Sequence, residues 1–190
     1  MSASKVMLKL DTLFTKYLLT TNVVTCGALL GIGDALVQGM NIAMTKDKKE
    51  NFDYARTGRM IVIGLSLGPF NHYWYALLDK VIKGNSGKAV LHKILSDQFI
   101  AGPFFCSTFL CGLSFLEGKG MEGAIQEWKD KFLGIYFVDW MFWPAAQFVN
   151  FKFVPGKFRV AYVSTATLIW NSFLSYAKHR HVSPTEEDFR

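Results

Sequence analysis

The 190-residue chain is 51% hydrophobic and only 19% charged, whereas soluble domains carry about a quarter charged residues. Its apolar residues are concentrated in blocks, which favours a membrane protein with the lipid bilayer as its partner over a soluble domain with a large core. The net charge of +6 lies in short basic clusters between these blocks, which fit lipid head groups better than a nucleic-acid groove, so no direct DNA binding is expected.

The first apolar block, residues 22–38, carries small residues on one face of its predicted helix. They recur every four positions, and the repeat extends one residue past the block: Gly27, Gly31, Ala35 and Gly39. Small residues let helix backbones approach closely in a membrane. We expect this stripe to pack against the second block, where Gly64 and Gly68 repeat the spacing. Leu30 is expected to face lipid or a less crowded groove.

Asp34 and Gln38 lie one helical turn apart beside the small-residue stripe. A carboxylate at membrane depth normally faces a partner or water. Asp34 is therefore either a polar element of a pore or a buried structural contact, for example with Arg59 or a neighbouring helix. The structural contact is preferred.

The second and third blocks, residues 60–78 and 98–116, contain no formal charge. Tyr73, Trp74 and Tyr75 in the second block are typical of an aromatic belt at the membrane interface. Asp97 and Gln98 stand where the third block begins, and they are candidate polar residues of the bundle.

The fifth block, residues 132–151, combines aromatic side chains with a narrow polar strip. Asp139, Trp143, Gln147 and Asn150 fall within one quarter of the helix circumference. Pro144 removes a backbone hydrogen bond and predicts a kink or a new helix start. The segment is thus an amphipathic or broken helix, which either lies in the membrane interface, as we prefer, or crosses with its polar strip turned inward.

The fourth span, residues 160–177, is uncharged and places four polar side chains on one helix face: Ser164, Thr167, Asn171 and Ser175. Hydrogen bonds between helices are the preferred use of such groups, and a polar pore lining is the alternative. A loose polar tail follows at residues 182–190. The predicted fold is an all-α multi-pass transmembrane helical bundle, a single membrane domain with four spans plus the helix at about 132–151.

No feature of the sequence predicts an enzyme, a metal site or a cofactor. Gly64 to Gly68 match a G-x-S-x-G pattern, but they lie in a helical apolar run rather than at the strand-to-helix turn that presents a catalytic serine. Cys26, Cys106 and Cys111 form no C-x-x-C pair and are expected to be packing residues.

Several ordered motifs resemble the Mpv-seventeen and peroxisomal membrane protein family over about residues 18–181. They are "GIGDALVQ", "GPFNHYWYALLD", "DQFIAGP", "DWMFWPAAQFVNFKFVPGKFR" and "IWNSFLSYAKHR". The resemblance implies a small multi-pass protein of mitochondrial inner or peroxisomal membranes. The signature positions that it matches include Trp143, Pro144, Phe151, Pro155, Arg159 and Trp170. The polar positions that are candidates for a site are Asp34, Gln38, Asp97, Gln98, Asp139, Gln147, Asn150 and Asn171.

The resemblance implies two functions of different classes. One branch of the family is associated with mitochondrial ribosome assembly and translation, so a non-enzymatic membrane factor that meets the mitochondrial large ribosomal subunit through its basic loops is the first hypothesis. Those loops carry Lys80, Lys83, Lys88 and Lys93, or Lys152, Lys157 and Arg159. Other relatives are described as channels, so the alternative is a small-solute channel lined by Asp34, Gln38, Gln147 and Asn150. A homo-oligomer is compatible with either.

A mitochondrial inner-membrane location is expected, with the peroxisomal membrane as the alternative. The first seventeen residues weakly match a basic amphipathic targeting helix, and the terminal "EEDFR" is not a peroxisomal address. Lysine and arginine are nearly balanced between the two sides, so they do not predict the orientation.

Overall fold

A computed structural model describes residues 12–44, 51–155 and 159–179, and within these ranges the chain contains helices and no strand. The helices are α1 (Leu18–Met44), α2 (Tyr54–Val81), α3 (Gly87–Ser96), α4 (Gly102–Leu116), α5 (Gly120–Phe153) and α6 (Arg159–His179). A π-helical turn, Asp97–Ala101, joins α3 to α4. The all-α prediction is confirmed. The predicted tail at 182–190 and residues 1–11 of the targeting segment lie outside the described residues.

Local signals explain where the helices begin. The Asp53 side chain accepts a hydrogen bond from the backbone N–H of Arg56 at the start of α2, and Ser86 caps Ala89 at the start of α3 in the same way. Gly84 turns the chain between these helices with a φ of +87°, which suits a residue without a β-carbon. The described loops from α2 to α3 and from α4 to α5 are short, as is usual between antiparallel helices.

Two stretches of the described chain are long and apolar enough to cross a membrane, Leu18–Ala43 and Gly87–Leu116. The predicted arrangement of four spans is therefore not confirmed. The third predicted span, residues 98–116, is part of a longer helical stretch, because the chain is already helical from Gly87 and runs through the π turn into α4. Many large apolar side chains are exposed, while polar groups such as Asp34 and Asn150 are fully buried. This distribution is the reverse of a soluble protein's and suits a bundle surrounded by lipid.

The segment at 132–151 is neither a separate helix nor a broken one. It is the C-terminal part of α5, a continuous helix of 34 residues that includes Pro144. Asp139, Gln147 and Asn150 from its polar strip are buried against neighbouring helices. The polar strip is therefore turned inward against the other helices, whereas the preferred arrangement in the membrane interface would have turned it to water.

Gly27, Gly31, Gly64 and Gly68 lie at the contact between α1 and α2. A β-carbon built on Gly64 would lie 2.7 Å from the Cα of Gly27, and one built on Gly68 would lie 2.6 Å from the Cα of Val23. A β-carbon on Gly31 would meet the Ile61 side chain. The backbones therefore approach more closely than any residue with a β-carbon would allow.

The small-residue stripe does not extend to the end of α1. A β-carbon on Gly39 would meet nothing within 4 Å, whereas Ala35 is half-buried. The reason is that α2 begins at Tyr54, and Asp53 already lies opposite Gln38, so α1 continues past the start of its neighbour.

Leu30 does not face lipid as expected. It is 4% exposed and belongs to the main apolar core, together with Met60 and Phe109. The prediction failed because α1 packs on α6 as well as on α2, so more than one of its faces is covered.

A cluster of charged groups holds the turn between α4 and α5. Ser114 and Lys119 both donate to Glu127, and Lys119 also pairs with Glu117. Burial alone would lower the pKa of Lys119, but hydrogen bonds and charge attraction from Glu117 and Glu127 outweigh it and raise that pKa above its ordinary value.

Candidate functional site

A cavity of about 120 Å³ lies in the middle of the bundle, between α1, α2, the π turn, α4, α5 and α6. Most of its wall is apolar or aromatic, and a few polar side chains enter it from different helices. Asp97 and Gln98 come from the π turn, Asp139 from α5 and Asn171 from α6. A mostly apolar cavity with a few convergent polar groups is the usual form of a small-molecule site.

The π turn accounts for the two polar side chains on one wall. Asp97, Gln98 and Ala101 are all buried in it, and the wider turn allows consecutive residues to face the interior. The backbone carbonyl of Gln98 accepts a hydrogen bond from the Tyr136 hydroxyl at 2.9 Å, so a side chain of α5 covers it. Single π turns within α-helices are frequent at functional sites.

Asp97 is held by a network of neutral donors. The indole Nε1 of Trp74 donates to its Oδ1 at 2.9 Å, and Nε2 of Gln147 donates to its Oδ2 at 3.0 Å. The same Gln147 nitrogen donates to the Tyr75 hydroxyl, and Gln147 Oε1 accepts from Asn150. Gln147 and Asn150 therefore lie behind the cavity wall and orient Asp97 rather than line the cavity.

Asp139 is less well satisfied than Asp97. Its Oδ2 accepts from Gln98 Nε2 at 3.3 Å, near the upper limit for a hydrogen bond. Gly102 permits this approach, because a β-carbon there would stand 3.3 Å from the same oxygen. Within the described part of the chain, neither Asp97 nor Asp139 has a lysine, arginine or histidine partner within 4 Å.

The α6 wall carries Thr167 and Asn171, which the sequence places on one polar face. Asn171 is 3% exposed, and its Nδ2 has no acceptor among the described residues. The side chains of Ser164 and Ser175, on the same predicted face, lie outside the described residues. Asn171 therefore offers a buried donor at the cavity.

Asp34 and Gln38 are not at the cavity. Asp34 is fully buried, its Oδ1 accepts from Arg56 Nε at 2.7 Å, and its Oδ2 accepts from Gln38 and Thr57. Arg59, the partner considered from the sequence, instead lies 3.7 Å from Asp53. Asp34 therefore forms a structural ion pair between α1 and α2. Of the four residues predicted to line a pore, Asp34, Gln38, Gln147 and Asn150, none lines the cavity.

The signature residues divide between two places. Trp143 and Trp170 line the cavity, and their rings meet edge to face at 6.1 Å between centroids. Phe151 and Arg159 lie at one end of the bundle, Pro144 is half-buried within α5, and Pro155 is exposed just beyond it.

A second candidate surface, the basic corner, consists of Lys80, Lys83 and Lys88 around the loop from α2 to α3. All three are exposed, and none pairs with a carboxylate of the described residues. The sequence grouped Lys93 with them, but Lys93 is 2% exposed and pairs with Asp79. The long lysine stem turns inward there and is not part of the exposed surface.

The ion pairs of Asp79 and the aromatic ring of Phe151 connect the basic corner to the rest of the bundle. Arg159 donates to both carboxylate oxygens of Asp79, at 2.7 and 2.9 Å, so α6 is tied to the end of α2. Lys93 and Arg159 also lie over the ring of Phe151, at 5.4 and 5.5 Å from its centroid. Arg159 is therefore engaged in the fold, and Lys157 lies outside the described residues.

Sequence reasoning missed several residues of these sites. Trp74 was expected in an interfacial belt but points inward to Asp97. Tyr136, Arg56 and Lys93 were not singled out for the contacts they make. The only signal in the sequence was the presence of buried acids in need of donors, which does not identify the donors.

Comparison with known proteins identifies the family. The sequence pattern of the Mpv17 / PMP22 family matches residues 114–175. PXMP2/4 family protein 4 of Dictyostelium discoideum is 35% identical over 87% of this chain and 89% of its own length. Protein sym-1 of Neurospora crassa is 34% identical over 83% of this chain and 90% of its own length. The mitochondrial inner membrane protein Mpv17 of Caenorhabditis briggsae is 31% identical over 83% of this chain and 84% of its own length.

No solved structure matches the chain. The names of the relatives agree with the expected mitochondrial inner-membrane location, and the PXMP2/4 relatives fit the peroxisomal alternative. Since these similarities extend over more than four fifths of the sequence, the chain belongs to the Mpv17 / PMP22 family of membrane proteins.

Proposed function

We propose that this chain is a non-enzymatic protein of the mitochondrial inner membrane that supports mitochondrial ribosome assembly and translation. Relatives named mitochondrial inner membrane protein Mpv17 support the location. The observation that carries the role is the basic corner, in which Lys80, Lys83 and Lys88 are exposed without acidic partners in the described residues.

The basic corner presents positive charges without acidic partners in the described residues, at a position that is fixed to the bundle. The basic corner extends from the last turn of α2 through the loop to the first turn of α3, and the pair of Asp79 with Arg159 ties its α2 end to α6. Lysine side chains held in one place attract the phosphates of RNA, and the counterions bound to those phosphates are released when the RNA binds. Ribosomal RNA at the surface of the large subunit is a partner of that chemistry.

The test is co-sedimentation with mitochondrial large ribosomal subunits in detergent gradients at increasing salt. Replacing Lys80, Lys83 and Lys88 together by glutamine removes up to three phosphate contacts. We expect weaker co-sedimentation and a plot of log K against log salt that is flatter by about 2 to 3, since each contact contributes roughly 0.7 to 0.9 to the slope.

A matched pair of single variants controls for net charge. Lys83→Glu changes the basic corner, whereas Lys129→Glu makes the same change at an exposed position of α5 far along the chain from it. We expect loss of association for Lys83→Glu alone. Equal behaviour of the two variants, or a triple variant that sediments like the unaltered protein at every salt concentration, contradicts the proposal.

The second candidate is a small-solute pathway, and the central cavity favours it. Its polar wall includes Asp97, Gln98, Asp139 and Asn171, and it contains none of the four residues predicted from the sequence. In reconstituted vesicles, Asp139→Asn is expected to change solute flux or ion selectivity, because a carboxyl group beside a narrow path sets the local field. Flux unchanged by this substitution argues against the pathway and leaves the ribosomal proposal intact.

A further inference from the structure

Asp139 is a buried acid that receives fewer hydrogen bonds than its two carboxylate oxygens can accept. It is 6% exposed and receives one hydrogen bond, at 3.3 Å on Oδ2, while Oδ1 receives none from the described residues. A carboxylate in the interior of a membrane-embedded bundle is costly unless a cation or several donors accompany it. The cavity beside Asp139 provides the space in which a cation can lie.

Asn171 provides an independent indication of a ligand. It lines the same cavity from α6, is 3% exposed, and its Nδ2 lacks an acceptor among the described residues. Buried donors are normally satisfied by the protein, by water or by a bound molecule. An acceptor atom on a ligand would complete this hydrogen bond.

The remaining wall favours an organic cation over a metal ion. Phe105, Phe109, Trp143 and Trp170 surround the cavity, and aromatic faces attract organic cations and cover apolar carbon atoms. The described residues contain no group of three or more His, Cys, Asp and Glu that could hold a metal. A hard metal ion would require several oxygen ligands.

The volume limits the size of the ligand. An engineered apolar cavity of about 150 Å³ holds benzene, and the cavity here measures about 120 Å³. The ligand therefore has about five or six non-hydrogen atoms.

We propose that the central cavity binds a small organic ammonium ion that also carries a hydrogen-bond acceptor, such as an amino alcohol. The ammonium group binds Asp139, its carbon atoms pack on the aromatic wall, and its oxygen accepts from Asn171. This inference names a ligand for the second candidate function, the small-solute pathway. The assignment of that ligand as the transported solute rests on that function. It is independent of the ribosomal role.

The test is a binding titration of the full chain in detergent, followed by tryptophan fluorescence, to which Trp143 and Trp170 at the cavity contribute, with protein-free micelles as the blank. The organic probes are 3-aminopropan-1-ol, n-butylammonium and 1-butanol, which are matched in size. Potassium chloride supplies a metal ion for comparison. We expect the amino alcohol to bind most tightly, n-butylammonium less tightly, and 1-butanol and potassium weakly.

Two variants locate the binding groups. Asp139→Asn is expected to weaken both ammonium probes about tenfold or more, because a hydrogen bond to a charged group is lost. Asn171→Leu is expected to weaken the amino alcohol alone, to the level of n-butylammonium. Glu122→Gln, at an exposed position of α5, serves as the control and leaves all affinities unchanged.

Several outcomes overturn the proposal. These are saturation by none of the organic probes, equal affinity for 1-butanol and n-butylammonium, tighter binding of potassium, or an Asp139→Asn protein that binds ammonium normally. If that variant does not fold, the order of the probes on the unaltered protein decides alone. Ammonium binding without flux in vesicles refutes only the solute pathway, whereas flux without ammonium binding refutes only this proposal.

Discussion

Replacing Gly64 by alanine tests the close contact of α1 with α2. The added β-carbon would lie 2.7 Å from both the carbonyl oxygen of Cys26 and the Cα of Gly27. Both are backbone atoms, which cannot turn aside as a side chain can. Ordinary van der Waals contacts of a β-carbon begin at 3.4 Å, so α1 and α2 must move apart by about 0.7 Å at this contact.

The expected loss of stability is about 1 to 3 kcal/mol, the usual effect of inserting an extra carbon into a well-packed contact. Gly58 in the same helix is the matched control, because a β-carbon there would meet nothing within 4 Å. Gly58→Ala is expected to be neutral or to stabilise by up to about 1 kcal/mol, since alanine is the better helix former.

Unfolding in mixed detergent, followed by tryptophan fluorescence, measures the difference, and circular dichroism checks that both variants are helical. Gly64→Ala should unfold at a lower denaturant concentration than the parent, and Gly58→Ala should not. If Gly64→Ala is as stable as Gly58→Ala, the backbones of α1 and α2 do not approach closely enough at Gly64 to exclude a β-carbon.

Two further substitutions use the same unfolding assay. Leu30→Ala should destabilise the protein by about 2 to 5 kcal/mol, because Leu30 is a buried core residue. Leu36→Ala, at a half-exposed position on a different face of α1, should change stability by less than about 0.5 kcal/mol. Equal effects of the two substitutions would mean that Leu30 faces lipid. Asp34→Asn should cost about 3 to 5 kcal/mol by removing the negative charge from a buried ion pair with Arg56. The double variant with Arg56→Gln should recover part of that loss, and no recovery would refute the ion pair as the cause.

Much of the fold was predictable because helix periodicity is a local property. The apolar blocks predicted helices at the right places, and the spacing of Gly27, Gly31, Gly64 and Gly68 placed them on faces that can meet. The continuity of α5 was not predictable from Pro144, since a lost hydrogen bond can be tolerated when the rest of a long helix is packed on its neighbours.

The candidate site was predictable only in its residue types. The sequence identifies Asp34, Asp97 and Asp139 as acids at membrane depth, each in need of a partner. It does not separate them, because the partner depends on how each helix is rotated against the others. The tertiary structure pairs Asp34 with Arg56, surrounds Asp97 with neutral donors from α2 and α5, and leaves Asp139 beside an open cavity. Periodicity determines which side chains share a face, whereas packing between distant segments decides what that face meets.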